Sequence, residues 1–417
     1  MGFGWKQKKV SPIGIDFGTE SIKLIQMEYG EPPRIIAAAG IDIPIDARRD
    51  ADARQAFIAQ SLRELVREGK FKGKQVVGSI PASQTYVLHT RVPKGDENHI
   101  QSQVEVSLRS QLPIDPARMV VRHYPVCDIS IDGQTQQEIL CMAATRETVM
   151  RHVQAMDQAG LEVAGMHCEP FAVVQSFKHL YRRAGDENLV TFYIDIGAAM
   201  TKVIITHGTE VVFAKNIQVA GEHFTRYFAK QNDMDVQAAR LMRIQMALSD
   251  APKGAKEQAP QTRDERETER RKNNTPPGMA VVQVNEPNEQ SQSHTQESYQ
   301  QVNGDSQTQT MTQPTQRTLA QSELMETLID ELKMCRGYHD SLFDQKQIDK
   351  LVFIGGEAAH VDHCKQIAHA LRAPAQLGDP LSRLGLDDDA RVIGIDLNYS
   401  QPAWAIPMGL CLLAENR

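Results

Sequence analysis

A chain of 417 residues is too long for one small core, so two domains or one two-lobed domain is expected. Its 41% hydrophobic and 24% charged residues are those of a soluble globular protein, and a formal net charge of −7 excludes a general nucleic-acid binder, which needs a basic face. Six scattered cysteines without CxxC or Cys/His metal spacing read as free thiols in a reducing compartment. Residues 1–10 form a basic tail (Trp5, Lys6, Lys8, Lys9) with no apolar signal core behind it, and no stretch is long enough to span a bilayer; a cytoplasmic protein is expected. Residues 13–27 then place Ile13, Ile15 and Phe17, and after Gly18 Ile22 and Leu24, at period two, which predicts two strands. A third follows at 34–43. Residues 51–71 are helical, with Phe57, Ile58, Leu62, Leu65 and Val66 on one face. Strands are expected at 75–80 and 86–92, a helix at 99–112, paired strands at 118–129 and 138–145, and a helix at 146–160 that turns Val149, Val153 and Met156 inward and stops at Gly160. A second strand set covers 189–197, 201–208 and 210–217.

From about 250 to 316 the composition shifts to mixed charge and then to Gln, Ser and Thr. Too little apolar surface is available there to offset ordering entropy, so a disordered insert is expected, with MAVVQV (279–284) an incidental apolar patch. Beyond it Leu324, Leu328, Leu332, Cys335, Tyr338 and Leu342 form one stripe of a helix starting near Ser322, and KLVFIGGEA (350–358) is a buried strand ending in a double glycine. Hairpins mixed with strand–helix units give an α/β class with more than one sheet.

Two segments share one grammar. IGIDFGTESIKLIQM (13–27) and FYIDIGAAMTKVIIT (192–206) each run apolar strand, Asp, apolar residue, Gly, a short turn, Lys and another strand, as an internally duplicated hairpin would. The chemistry suits a phosphate clamp. Gly18 and Gly197 let backbone approach an anion. Thr19, Ser21 and Thr201 offer hydroxyls, and Lys23 a point charge. Asp16 and Asp195, each at a strand end, can hold hydrated Mg²⁺ through its water shell. Gly355 and Gly356 supply backbone that could pass close to a flat base or ribose.

These three segments resemble those of the actin/Hsp70/hexokinase ATPase superfamily: 13–27 and 192–206 as the phosphate motifs, the latter with Ala198 in its turn, and 351–359 as the adenosine motif. The resemblance implies an actin-like (ribonuclease H-like) two-lobed fold with ATP and Mg²⁺ in the cleft. It also places Glu169, on the helix between the lobes (167–177), where it could orient or activate water.

Between the phosphate motifs GSIPASQTYVLHTRVP (78–93), LRSQLPIDPARMVVRHYPV (108–126) and ILCMAATRETVMRHVQAMDQAGLEVAGMHCEPFAVVQSF (139–177), and after them VAGEHFT (219–225, with Gly221), SELMETLIDELKMCRGYH (322–339), LVFIGGEA and PAWAIPMGLCLL (402–413), are similar, in order, to the type IV pilus assembly protein PilM family. That resemblance implies an FtsA-like arrangement. Lobe 1 would span 11–185 with a small subdomain at about 85–160, lobe 2 would span 186–390 with the insert inside it, and 391–417 would return to lobe 1. It further implies a scaffold at the inner face of the inner membrane, in a pilus or type II secretion-like platform. The scaffold would be peripheral to the membrane through its partner, the cytoplasmic N-terminal peptide of a PilN-like protein, bound in a groove of lobe 1 that draws on 78–126. Self-association stays open. Two departures stand out: Met200 replaces a hydroxyl after the second Gly, and Glu357 stands where the adenosine turn often has a third glycine and would face a ribose hydroxyl. ATP binding with slow or absent hydrolysis is therefore expected. A sugar- or acetate-type kinase on the same fold would need a further acid cluster, which only Asp42 and Asp46 imitate; an FtsA-like filament protein would end in an amphipathic membrane helix, unlike PMGLCLLAENR.

Overall fold

The computed structural model describes residues 9–178, 181, 183–250, 279–281, 316–344 and 346–414. The basic tail up to Lys8 and most of the expected disordered insert lie outside them.

Two six-stranded sheets repeat one topology. In the first, β1 (Ile13–Phe17), β2 (Ser21–Glu28) and β3 (Arg34–Asp42) form an antiparallel meander, and β4 (Gln75–Ile80) and β8 (Glu162–Cys168) add parallel to β1. In the second, β9 (Val190–Ile196), β10 (Thr201–His207) and β11 (Glu210–Ile217) form the meander, with β13 (Lys350–Ile354) and β14 (Ala375–Gly378) parallel beyond β9. The central strands are near-continuous apolar runs because both faces are covered. On the first sheet α1 (Ile45–Arg49) leads into α2 (Ala51–Glu68), whose first turn is capped by Asp50 accepting from the Ala53 N–H at 2.6 Å. Helix α2 buries Ile58, Leu62 and Leu65 against Ile13, Ile15 and Phe17. Each such side chain contributes roughly 1.5–3 kcal/mol.

A three-stranded sheet, ordered β5 (Tyr86–Pro93), β7 (Gln134–Thr145), β6 (Met119–Ile131), carries α3 (Glu97–Gln111) on one face through Ile100, Val104 and Leu108. Its other face packs Leu140 and Met142 on Ala214 of β11. The helix that follows, α4 (Arg146–Gln158), does not share this core. It puts Ala155 and Met156 into the core of the first lobe and meets α2, although the resemblance implied that the small subdomain runs to about 160. Its buried face is His152, Ala155 and Met156; Val149 and Val153 are only half-buried.

Helix α5 (Glu169–Phe177) leads to the second lobe, which is completed by α6 (Gly221–Gln231), α7 (Val236–Asp250), α8 (Gln316–Leu342) and α9 (Val361–Leu371). Three findings revise the expected organisation. Met279–Val281, expected as incidental, forms strand β12, antiparallel on β14, so the insert contributes an edge strand to the second sheet. Helix α8 starts at Gln316, not near Ser322. The return to lobe 1 comes before 391: β15 (Gly385–Ile393) already pairs with β3. The last helix, α10 (Ala405–Leu413), packs on α5, and its Gly409 lies so close to the Ala172 carbonyl that any side chain would collide. Around this crossing Val77 of one sheet shares a core with Tyr193, Ile204, Val352 and Ile354 of the other.

Candidate functional site

The two Asp–Gly turns face each other across a cleft of about 220 Å³ between the lobes. The hairpin register makes the duplication physical: Asp16 lies opposite Lys23 on β1 and β2, and Asp195 opposite Lys202 on β9 and β10. Both carboxylates are 3% exposed, so each needs partners. Asp16 Oδ1 accepts from the Ser79 hydroxyl at 3.2 Å, and Lys23 Nζ stands 3.7 Å from Oδ2. The second turn is tighter. Lys202 Nζ lies 2.8 Å from Asp195 Oδ2 and 2.9 Å from Glu169 Oε2, with all three groups buried. Burial works against the Lys202 ammonium, but the Asp195 and Glu169 carboxylates outweigh it and push its pKa up. Burial pushes the Glu169 carboxyl above its usual range, with Lys202 pulling it back and Asp16 and Asp195 adding to the rise.

Of the residues expected from sequence, Asp16, Gly18, Thr19, Ser21, Lys23, Glu169, Asp195, Gly197, Ala198, Gly355, Gly356 and Glu357 all line this cleft. Thr201 and Gly221 do not. The Thr201 hydroxyl is buried and donates to the Val219 carbonyl at 2.7 Å, so it has no hydrogen to give a phosphate. The Gly221 N–H donates to the Gly197 carbonyl at 3.0 Å, and a Cβ there would strike the Glu357 side chain; Gly221 makes room for a wall residue. Gly355 is at φ +90°, and a side chain would run into Asp195 Oδ1 and the Ile196 carbonyl. Glu357 is held by Arg243, whose Nη2 lies 2.5 Å from Oε2 and whose Nη1 also reaches the Gly221 carbonyl and Thr225 Oγ1. Its charge is thereby matched within the protein.

The cleft wall holds further residues. Lys202 occupies in the second turn the place of Lys23 in the first, and the repeat itself was the signal that could have found it. Arg240 and Ile244 of α7 carried no local signature; Pro81–Ser83 after β4, and Pro402, Ala403, Ala405 and Ile406 before and within α10, lie in segments that carried the family resemblance without any phosphate-binding chemistry of their own.

Three carboxylates (Asp16, Asp195, Glu169) meet two ammoniums (Lys23, Lys202) at the centre of the cleft. A polyphosphate there would face excess negative charge unless a divalent cation accompanied it. Among the described residues no group of three or more His, Cys, Asp or Glu side chains could cage a metal directly. The donor set therefore fits a hydrated hard cation reached through water by two carboxylates, not a dehydrated one. The six cysteines are all free, and among the described residues no helix is long and apolar enough to cross a membrane.

The chain is similar over 97% of its length to the solved structure titled "PilM-PilN type IV pilus biogenesis complex", covering 98% of that chain at 17% identity with a TM-score of 0.66. It is also similar to the ethanolamine utilization protein EutJ from Carboxydothermus hydrogenoformans (12% identity, 97% and 89% coverage, TM-score 0.46) and to MreB 5 of Spiroplasma citri bound to AMPPNP (11%, 97% and 96%, 0.42). The first likeness shows the two-lobed, actin-like fold that the paired sheets already describe. Residues 14–254 match the family described as type IV pilus assembly protein PilM. That match takes in the first Asp–Gly turn, the small subdomain and the second turn through to α7, more than half of the sequence, and the chain belongs to the PilM family.

Proposed function

We propose that the chain binds ATP with Mg²⁺ in the interlobe cleft and serves as a cytoplasmic scaffold of a type IV pilus or type II secretion-like inner-membrane platform. The observation that carries the nucleotide half is the convergence of two Asp–Lys hairpins, in equivalent register, on one cleft. Thr19, Ser21 and Lys23 would meet terminal phosphates from lobe 1, and the turn 197–200 from lobe 2; Asp16 and Asp195 would take the water ligands of the cation. Bound magnesium supplies neutralisation of phosphate charge. Gly355 and Gly356 form the wall along which base and ribose would lie, next to Glu357.

Glu169 is the carboxylate nearest a water-activating role, and it is already committed: it is buried and ion-paired to Lys202. A base so engaged supports binding with slow or no turnover. Titration calorimetry with Mg·ATP tests the site. Asp16→Ala and Asp195→Ala should each weaken binding, and unchanged affinity in both would overturn it.

The partner would be the N-terminal peptide of a PilN-like membrane protein, which would hold the chain at the membrane face. Family membership and the likeness to a PilM–PilN complex support this. Within 78–126, β5 and β6 are the outer strands of the small sheet and offer backbone edges to an extended peptide. A pull-down with and without ATP, read by mass spectrometry for a membrane protein with a short cytoplasmic N-terminus, tests it; its absence under both conditions would count against the scaffold role.

A further inference from the structure

Helix α7 belongs to lobe 2, yet Arg240 on it reaches lobe 1. Its Nε lies 2.7 Å from Glu20 Oε2, and its Nη1 3.1 Å from Asp42 Oδ2. Glu20 sits in the first phosphate turn and Asp42 at the end of β3. Arg240 and Glu20 both line the cleft, so the ion pair is part of its wall and spans its two sides. The lobe-1 end is braced. Arg48 Nη1 bonds Glu20 Oε1 at 2.7 Å, and Arg48 Nε bonds the Ile43 carbonyl at 2.7 Å. The lobe-2 end is braced as well. One turn along α7, Arg243 is tied to Glu357, Gly221 and Thr225, all of lobe 2. Helix α7 thus carries two arginines with opposite commitments, one holding the helix to its own lobe and the other fastening that lobe to its neighbour.

The pair is only partly sheltered. The Arg240 and Glu20 side chains are 18% and 22% exposed, while Asp42 is 64% exposed. Half-buried charge-assisted bonds of this kind are worth more than surface pairs and still respond to salt. Widening the gap between lobes breaks both Arg240 contacts at once and leaves the guanidinium to water, at a cost that separation of two apolar walls would not carry.

Resting on the proposal that the cleft takes nucleotide, we infer that Arg240 is an interlobe strap that sets how long a nucleotide stays bound, by holding lobe 1 at Glu20 and Asp42. The strap is a positioning element: it acts on the lobes, and the phosphate groups need not touch it.

The test follows release of a fluorescent ATP analogue with Mg²⁺ from the full chain by stopped flow. In Arg240→Gln the release rate at low salt rises roughly ten-fold, the scale of one broken charge-assisted bond. Arg240→Lys restores part of the effect, and Glu20→Gln reproduces most of it without adding to Arg240→Gln in the double variant. Raising KCl speeds release from the wild type by a larger factor than from Arg240→Gln. Equal low-salt release from wild type and Arg240→Gln overturns the strap. If no variant and no wild type binds the analogue, the nucleotide site itself fails. The strap is then judged without ligand, from the distance between spin labels at Asp52→Cys and Lys365→Cys. Arg240→Gln broadens that distribution if the strap holds the lobes, and an unchanged distribution overturns it.

Discussion

The two Asp–Gly turns share a sequence pattern and a hairpin register, but they do not share an electrostatic design. In lobe 1 Asp16 has a hydroxyl at 3.2 Å and a looser ammonium at 3.7 Å, on a Lys23 side chain that keeps 18% of its surface. In lobe 2 Lys202 is buried between two carboxylates within 3 Å. The same residue type in the same place is thus a free hand on one side and a structural keystone on the other. What separates them is Glu169: the helix between the lobes delivers a second buried acid to Lys202, whereas among the described residues Lys23 is ion-paired to Asp16 alone.

The largest way to break this contrast is Lys202→Met. Two buried carboxylates lose their common cation, and stability should fall by about 3–5 kcal/mol, read from urea unfolding. A loss below 1 kcal/mol would show that Lys202 is as expendable as its counterpart. Acid comes next. His152 packs on Phe17 behind the first turn, with ring centroids 4.7 Å apart, its Nε2 on Gln84 Oε1 and Arg54 nearby; burial and that guanidinium push its pKa from 6.5 down to about 4. The unfolded chain therefore takes up the proton first. The stability this neutral ring contributes is intact above pH 6.5 and lost as pH falls to about 4, at most about 3 kcal/mol. His152→Gln should flatten that part of the pH–stability curve; an unaltered curve would discount it. Gly355→Ala should cost about 1–3 kcal/mol, since it forces a side chain into positive φ against Asp195. Its affinity loss for Mg·ATP should exceed its loss in melting temperature, whereas purely structural damage would move both together. The smallest stability effect belongs to Lys23→Met, within about 0.5 kcal/mol, with Mg·ATP affinity falling roughly ten-fold. If Lys23→Met instead destabilised the fold as Lys202→Met does, the two turns would be equivalent after all.

Much of this site was legible because strands write their faces into sequence. One aspartate two residues before a glycine in an apolar run is ordinary hairpin chemistry; two copies with the same flanks implied two facing turns. The rest depended on contacts that no local pattern encodes. Thr201 matched the phosphate grammar, but its hydroxyl found a carbonyl 18 residues on. Arg243 meets Glu357 across 114 residues of chain, an ion pair that no local pattern announces. Helix α7 was unreadable for a further reason: it turns Arg240 and Arg243 inward and leaves Leu241, Met242 and Met246 exposed, against the usual amphipathic rule. Lobe boundaries shifted because α4 and β15 answer to the strands they pack on, not to their distance along the chain.

Strand β12 has an architectural consequence of its own. By pairing antiparallel with β14, Met279–Val281 becomes the outer strand of the second sheet, so β14 has a strand on each side. A bare strand edge offers unpaired N–H and C=O groups to any other chain. Three residues far along the chain from β14 thus take over the exposed edge and keep the longer-range core of the sheet from serving as a template for association.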